Sequence, residues 1–224
     1  MVKKFIILIN SLLLITFFIA CRSTPPASSE NPANLKQEIG SLKTQIERDK
    51  YKNEKEVART KKTNDLLAES LKDEIQKNQI TINQYRDVLT INISEEIFFD
   101  SGSAEIKKAG YGVLDRIGTI LKGFPDKLIK IQGHTDNVLI AESFKNVFPN
   151  NWALGATRAS NVAGYFESKL KIDPLRLEVA SFSKYRPLVP NTSASNRAKN
   201  RRIEIVLINR DLYFKETMGF EEAR

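Results

Sequence analysis

The chain's single histidine stands in GHTDNVLI, residues 133–140, two positions before an aspartate. A histidine and a carboxylate so close could form an acid–base pair or half of a metal site, or one of the two could be merely structural. Catalysis would need a further group, and none is on offer. There is no second histidine, no thiol nucleophile, no recognisable Ser–His–Asp set, and no pair of acidic residues at a signature spacing. One histidine and one cysteine also remove most zinc patterns, and no calcium-loop spacing is present. These counts predict no enzymatic activity, no metal and no cofactor. His134 reads as a structural residue at a strand's end. By residue type alone Asp136 is a turn former, and Arg158 an exposed helix arginine.

The elements that must position these residues follow from periodicity. INISEEIFF (91–99), LIKIQGHT (128–135), RLEVASF (176–182) and RRIEIVLI (201–208) read as four strands. Between the first two, residues 105–121 carry Ile106, Val113, Leu114, Ile117 and Leu121 on one helical face, with Gly110 and Gly112 weakening it. A second helix, capped by Asn150 or Asn151, puts Trp152, Ala156, Ala159, Ala163, Phe166 and Leu170 on one expected buried stripe. The order is βαβαββ. It implies an α+β fold, an α/β sandwich in which a mixed four-stranded sheet over residues 90–208 carries helices on one face.

Ahead of this region lie three segments of different character. Residues 1–21 join Lys3 and Lys4 to an apolar run of about 16 residues, shorter than a ~20-residue bilayer span, and end in Ala20-Cys21. This reads as an export signal and resembles a bacterial lipobox, with Cys21 as the lipidated residue, although Phe18 departs from the usual small aliphatic residue. The alternative is an uncleaved membrane anchor. Residues 22–34, rich in Pro, Ser and Asn, read as a flexible linker. Residues 35–89 read as a long charged helix of ~80 Å at 1.5 Å per residue, in which Leu35, Ile39, Leu42 and Ile46 step by 4, 3 and 4. Either a coiled-coil rod, giving a homo-oligomer, or a single-helix spacer satisfies that pattern. Residues 209–224 form a tail with no assignable role.

Lys and Arg total 35 against 27 Asp and Glu, a formal charge of +8 that favours anionic partners. One cysteine excludes an intramolecular disulfide.

FDSGSAEIKKAG, IKIQGHTDN, NWALGATRASNVAGYF and SFSKYRPLVPNTSASNRAKNRRIEIVL follow one another in order. Together they resemble the OmpA-like peptidoglycan-binding domain shared by outer-membrane porin tails, peptidoglycan-associated lipoproteins and flagellar stator subunits. The resemblance covers residues 92–207. The inserted VLIAESFKNVFPN is most like the stator branch, whereas the lipobox points to the peptidoglycan-associated branch. The resemblance implies that Asp136 and Arg158 bind the diamino acid of a peptidoglycan stem peptide. A carboxylate would pair with its ammonium and a guanidinium would fork its carboxylate. It further implies supporting roles for Thr135, Asn137, Asn151 and Leu154, a rim of Asp100, Ser101 and Gly102, and added positive charge from Arg202. The expected product is a non-enzymatic tether in the outer membrane, with peptidoglycan and lipid as partners and no nucleic acid. The alternative is a coiled-coil scaffold for partner binding.

Overall fold

The computed structural model describes residues 32–211, 213 and 214. The signal segment, Cys21, most of the linker and residues 215–224 lie outside them. Among the described residues no helix is long and apolar enough to cross a membrane.

The chain falls into two units, Met1–Asp49 and Lys50–Arg224, and helix α1 (Pro32–Ser70) runs through the boundary. The helix starts at Pro32, inside the stretch expected as linker, because proline's fixed φ and missing N–H suit a helix's first turn. In the first unit Leu35, Ile39, Leu42 and Ile46 are all exposed. In the second unit the same helix is a packed element. Leu67 and, just past its end, Leu71 are fully buried, Glu56 pairs with Lys127 at 2.9 Å, and Arg59 stacks over the Phe124 ring at 5.3 Å.

Helix does not continue to residue 89 as expected. After the short α2 (Lys72–Gln76), Asn78 takes a left-handed φ of 56°, and two strands follow: β1 (Ile80–Tyr85) and β2 (Val88–Ser94). Arg86, at φ 55°, and Asp87 make the tight turn between them. ITINQY and VLTINIS alternate apolar and polar residues with a period of two, so one face of the hairpin is buried and the other is not. A helix would spread the same residues around its circumference.

The remaining elements are α3 (Glu95–Phe98), α4 (Lys108–Lys122), β3 (Lys127–His134), α5 (Asn151–Ser168), β4 (Leu177–Ser183), α6 (Ala194–Asn200) and β5 (Arg202–Asn209). The sheet therefore has five strands, not four, in the order β1-β2-β5-β3-β4, with only β3 and β4 parallel. Leu89, Ile91 and Ile93 lie in register with Leu207, Ile205 and Ile203, which lie beside Ile129, Ile131 and Gly133. This face forms the core with Leu114, Ile117, Val162 and Phe166 from α4 and α5.

Two glycines fix how closely α5 approaches the sheet. A Cβ on Gly133 would stand 2.0 Å from the Gly155 carbonyl oxygen, so any side chain there forces the helix off β3. Helix α5 starts at an N-cap, Asn150, whose side chain accepts from the Ala153 N–H at 3.0 Å. Its buried stripe runs through Leu154, Gly155, Arg158, Ala159, Val162, Ala163 and Phe166. Trp152, expected on that stripe, is instead 47% exposed, because the glycine contact sets the helix rotation and turns position 152 outward. The inserted loop between β3 and α5 is anchored: Phe148 packs in a small second cluster with Ala104 and Leu154, and Ile140 lies against them.

Candidate functional site

Strand β3 ends at His134, and the two residues after it turn into a cavity of about 640 Å³. The Thr135 N–H donates to the Ser183 carbonyl at 2.9 Å, tying this turn to the end of β4. Asp136 is buried. Its Oδ1 accepts from the Val138 N–H at 2.9 Å, an Asx turn, while Oδ2 accepts from Arg201 Nη1, also at 2.9 Å. Asn151, at the start of α5, closes the turn by donating to the Val138 carbonyl at 2.8 Å.

Arg158 lies two turns into α5 and is also buried. Its Nε donates to the Ser103 carbonyl at 2.8 Å, its guanidinium stands 5.1 Å from the Phe99 ring centroid, and its Nη1 pairs with Glu95. The other Glu95 oxygen accepts from Arg201 Nε at 2.5 Å. The result is an alternating row, Asp136–Arg201–Glu95–Arg158, along the cavity wall. Each charge has an opposite neighbour, as burial requires. Burial lowers the Arg158 pKa from its ordinary value, and the Glu95 charge works against that shift. Arg201 is also partly desolvated, but its bonds to Asp136 and Glu95 outweigh this and raise its pKa. Both guanidiniums stay charged at neutral pH.

Most of the residues singled out from the sequence meet here. Thr135, Asp136, Asn151, Leu154 and Arg158 line the cavity, and Asp100, Ser101 and Gly102 form its rim. Gly102 has a φ of 72°, and the Phe144 ring lies where its Cβ would be, so the inserted loop covers this edge. Two expected residues are elsewhere. Asn137 is exposed and does not line the cavity. Arg202 lies on the opposite face of the sheet, in register with His134, where it bonds Glu204 at 3.0 Å and Asn92 at 3.1 Å. Its neighbour Arg201, just before β5, enters the cavity instead, since adjacent side chains on an extended chain diverge. Glu95 and Arg201 were not foreseen. The signal for Glu95 is indirect: a buried Arg158 demands a counter-charge, and SEEIFF carries the acidic residues just before the FDSGS motif.

His134 does not line the cavity. Its ring stacks on Phe182 at 5.3 Å, and neither ring nitrogen has a hydrogen-bond partner among the described residues. Burial, with the charges of Arg202 and Arg186, lowers its pKa to about 3, so the imidazole is neutral and uncoupled from Asp136. Among the described residues no group of three His, Cys, Asp or Glu could hold a metal ion.

Residues 98–201 match the OmpA family. The chain is 34% identical over 140 residues to motility protein B of Bacillus subtilis, covering 62% of this chain and 52% of that one. It is 31% identical over 118 residues to a peptidoglycan-associated lipoprotein of Rhizobium meliloti, covering 53% of this chain and 62% of that one. Among solved structures, the cell wall anchor of the type VI secretion system (T6SS) from Pseudomonas aeruginosa superposes with a TM-score of 0.58 at 30% identity, covering 64% of this chain and 96% of that one. The chain spans about half to three fifths of the length of these two curated relatives.

Proposed function

The chain belongs to the OmpA family through residues 98–201, and from that membership we propose that it binds peptidoglycan without catalysing a reaction. The observation that carries the reading is the cavity row, in which two carboxylates and two guanidiniums are desolvated together beside open space. A stem-peptide diamino acid presents an ammonium and a carboxylate of its own. Its ammonium takes the place of Arg201 against Asp136 and Glu95, and its carboxylate receives Arg158 and the released Arg201. Opposite charges are exchanged pair for pair, so binding leaves no buried charge unpaired. The N-terminal end of α5, where Asn151 lines the cavity, adds the positive end of a helix dipole to the same wall.

In this reading Cys21 carries lipid, the chain is held at the outer membrane, and α1 spaces the domain from the bilayer. The test is co-sedimentation of the lipid-free mature chain with purified sacculi. Wild type pellets, whereas Asp136→Asn and Arg158→Lys, both checked for folding by circular dichroism, stay in the supernatant. Undiminished pelleting of both variants would refute the proposal. Labelled palmitate on Cys21, absent from Cys21→Ala, tests the anchor, and membrane fractionation distinguishes outer from inner attachment.

A second reading has its own observation. Leu35, Ile39, Leu42 and Ile46 are exposed at coiled-coil spacing, which fits self-association and a scaffold role. Sedimentation equilibrium of the mature chain should then show a dimer or higher species that Ile39→Lys converts to monomer.

A further inference from the structure

Beyond the cavity, the described surface carries a pair of large aromatic residues with no core to fill. Trp152 is 47% exposed and Tyr185 is 64% exposed, and their rings stack at 5.5 Å with planes 28° apart. An exposed tryptophan leaves a large apolar face in water, which a soluble surface tolerates best where a ligand covers it. We propose that Trp152 and Tyr185 form a sugar-stacking subsite that takes a pyranose ring of the wall glycan. This inference rests on the peptidoglycan reading of the neighbouring cavity.

Both rings lie outside the cavity lining and are tied to it through neighbouring residues. Trp152 follows Asn151, which lines the cavity and bonds the Val138 carbonyl. Tyr185 sits in the turn after β4, its N–H donating to the Phe182 carbonyl at 3.0 Å. Just upstream, Ser183 is buried at a φ of 50° and accepts from Thr135, the first cavity residue after β3. The loop beyond Tyr185 is pinned by the fully buried Asn200. Its side chain accepts from the N–H groups of Leu188 (2.8 Å) and Val189 (3.1 Å) and donates to the Val189 carbonyl at 2.8 Å. Asn200 in turn immediately precedes Arg201 of the charge row. The platform is therefore rigid and fixed relative to Asp136, which lowers the ordering cost of binding.

The chemistry favours a sugar over a purely apolar partner. One face of a pyranose presents C–H bonds, whose positive edge suits the negative face of an aromatic ring, while its hydroxyl rim needs polar groups nearby. Lys184 supplies them, with Nζ 5.7 Å from the Tyr185 ring centroid. Connectivity agrees, because a stem peptide is covalently joined to its glycan. A diamino acid seated in the cavity brings sugars within about 10 Å, the reach of three extended residues.

Trp152 is the chain's one tryptophan, so its emission reports the subsite directly. The test titrates the mature chain with three probes: a stem tripeptide ending in the diamino acid, the same tripeptide carrying its disaccharide, and a peptide-free glycan oligosaccharide. The disaccharide form should bind about 3- to 10-fold tighter than the bare tripeptide and shift the tryptophan emission, whereas the bare tripeptide should not. Trp152→Ala should erase that advantage without changing tripeptide affinity, and Trp152→Phe should keep most of it. Equal affinities for the two peptides, or an equal loss for both in Trp152→Ala, overturns the subsite. If the bare tripeptide fails to bind while the glycan still binds through Trp152, the cavity reading falls and the platform stands.

Discussion

Arg201 and Arg202 are adjacent in the chain and belong to two different polar clusters. Arg201 joins Asp136, Glu95 and Arg158 beside the cavity, and its side chain stays 35% exposed. Arg202 joins Glu204, Asn92 and the neighbourhood of His134 on the other face of the sheet, almost wholly buried. The groups in the two clusters are of the same kinds. What separates them is access: one faces open space that a ligand can enter, while the other is sealed. A displaced pKa does not make that distinction, since the imidazole pushed to about 3 sits in the sealed cluster.

Mutation of each cluster tests this division. Arg158→Ala should have the largest effect, since it leaves Glu95 without its most buried partner: about 3–5 kcal/mol of stability in urea unfolding, with loss of sacculus binding. Unchanged stability would mean the open cluster is not held by that pair.

The sealed cluster should carry acid sensitivity. His134 is more easily protonated in the unfolded chain, at about 6.5, than in the fold, at about 3. Its contribution is therefore complete above pH 6.5 and is lost as pH falls toward 3, by up to roughly 4 kcal/mol. His134→Phe should flatten the stability–pH curve across that window; an unaltered slope would assign acid sensitivity to other groups.

Arg202→Met should cost about 1–3 kcal/mol by stranding Glu204, with sacculus binding unchanged. Reduced binding in a folded Arg202→Met would break the division outright. Arg201→Gln should cost a similar ~1–3 kcal/mol, since it takes the guanidinium from the buried Asp136 carboxylate, and should weaken binding about tenfold.

Sequence periodicity located α5 and β5 because their buried positions repeat with a helical and a two-residue period, while β3, buried almost throughout, and β4 were legible as short β-branched apolar runs bounded by turn residues. It failed at β1. Ile75, Ile82, Tyr85 and Leu89 satisfy helical spacing, and only the finer alternation of Ile80, Thr81 and Ile82 betrays the strand. At the site, the motif resemblance singled out Asp136 and Arg158, which residue type alone makes a turn former and an exposed helix arginine, and the structure brings them to one cavity. The choice between Arg201 and Arg202 turns on where β5 begins, and a shift of one residue reverses the face. Glu95 was invisible because its role depends on a contact 63 residues away in sequence. Trp152 was misplaced because composition alone does not reveal that two glycines set the rotation of α5.

The position of β5 has a consequence for how this domain can be divided. The segment matching the OmpA family ends at residue 201, one residue before β5 starts, and begins at 98, after β1 and β2 have finished. β5 is the middle strand of the sheet, hydrogen-bonded on both sides. Excised alone, residues 98–201 would keep three of the four motifs whole and cut the fourth at Arg201, and would lose three of five strands, including the one that joins the two halves. The recognisable portion is therefore not a transplantable module: grafted into another protein, it would need a host able to donate a hairpin and a central strand.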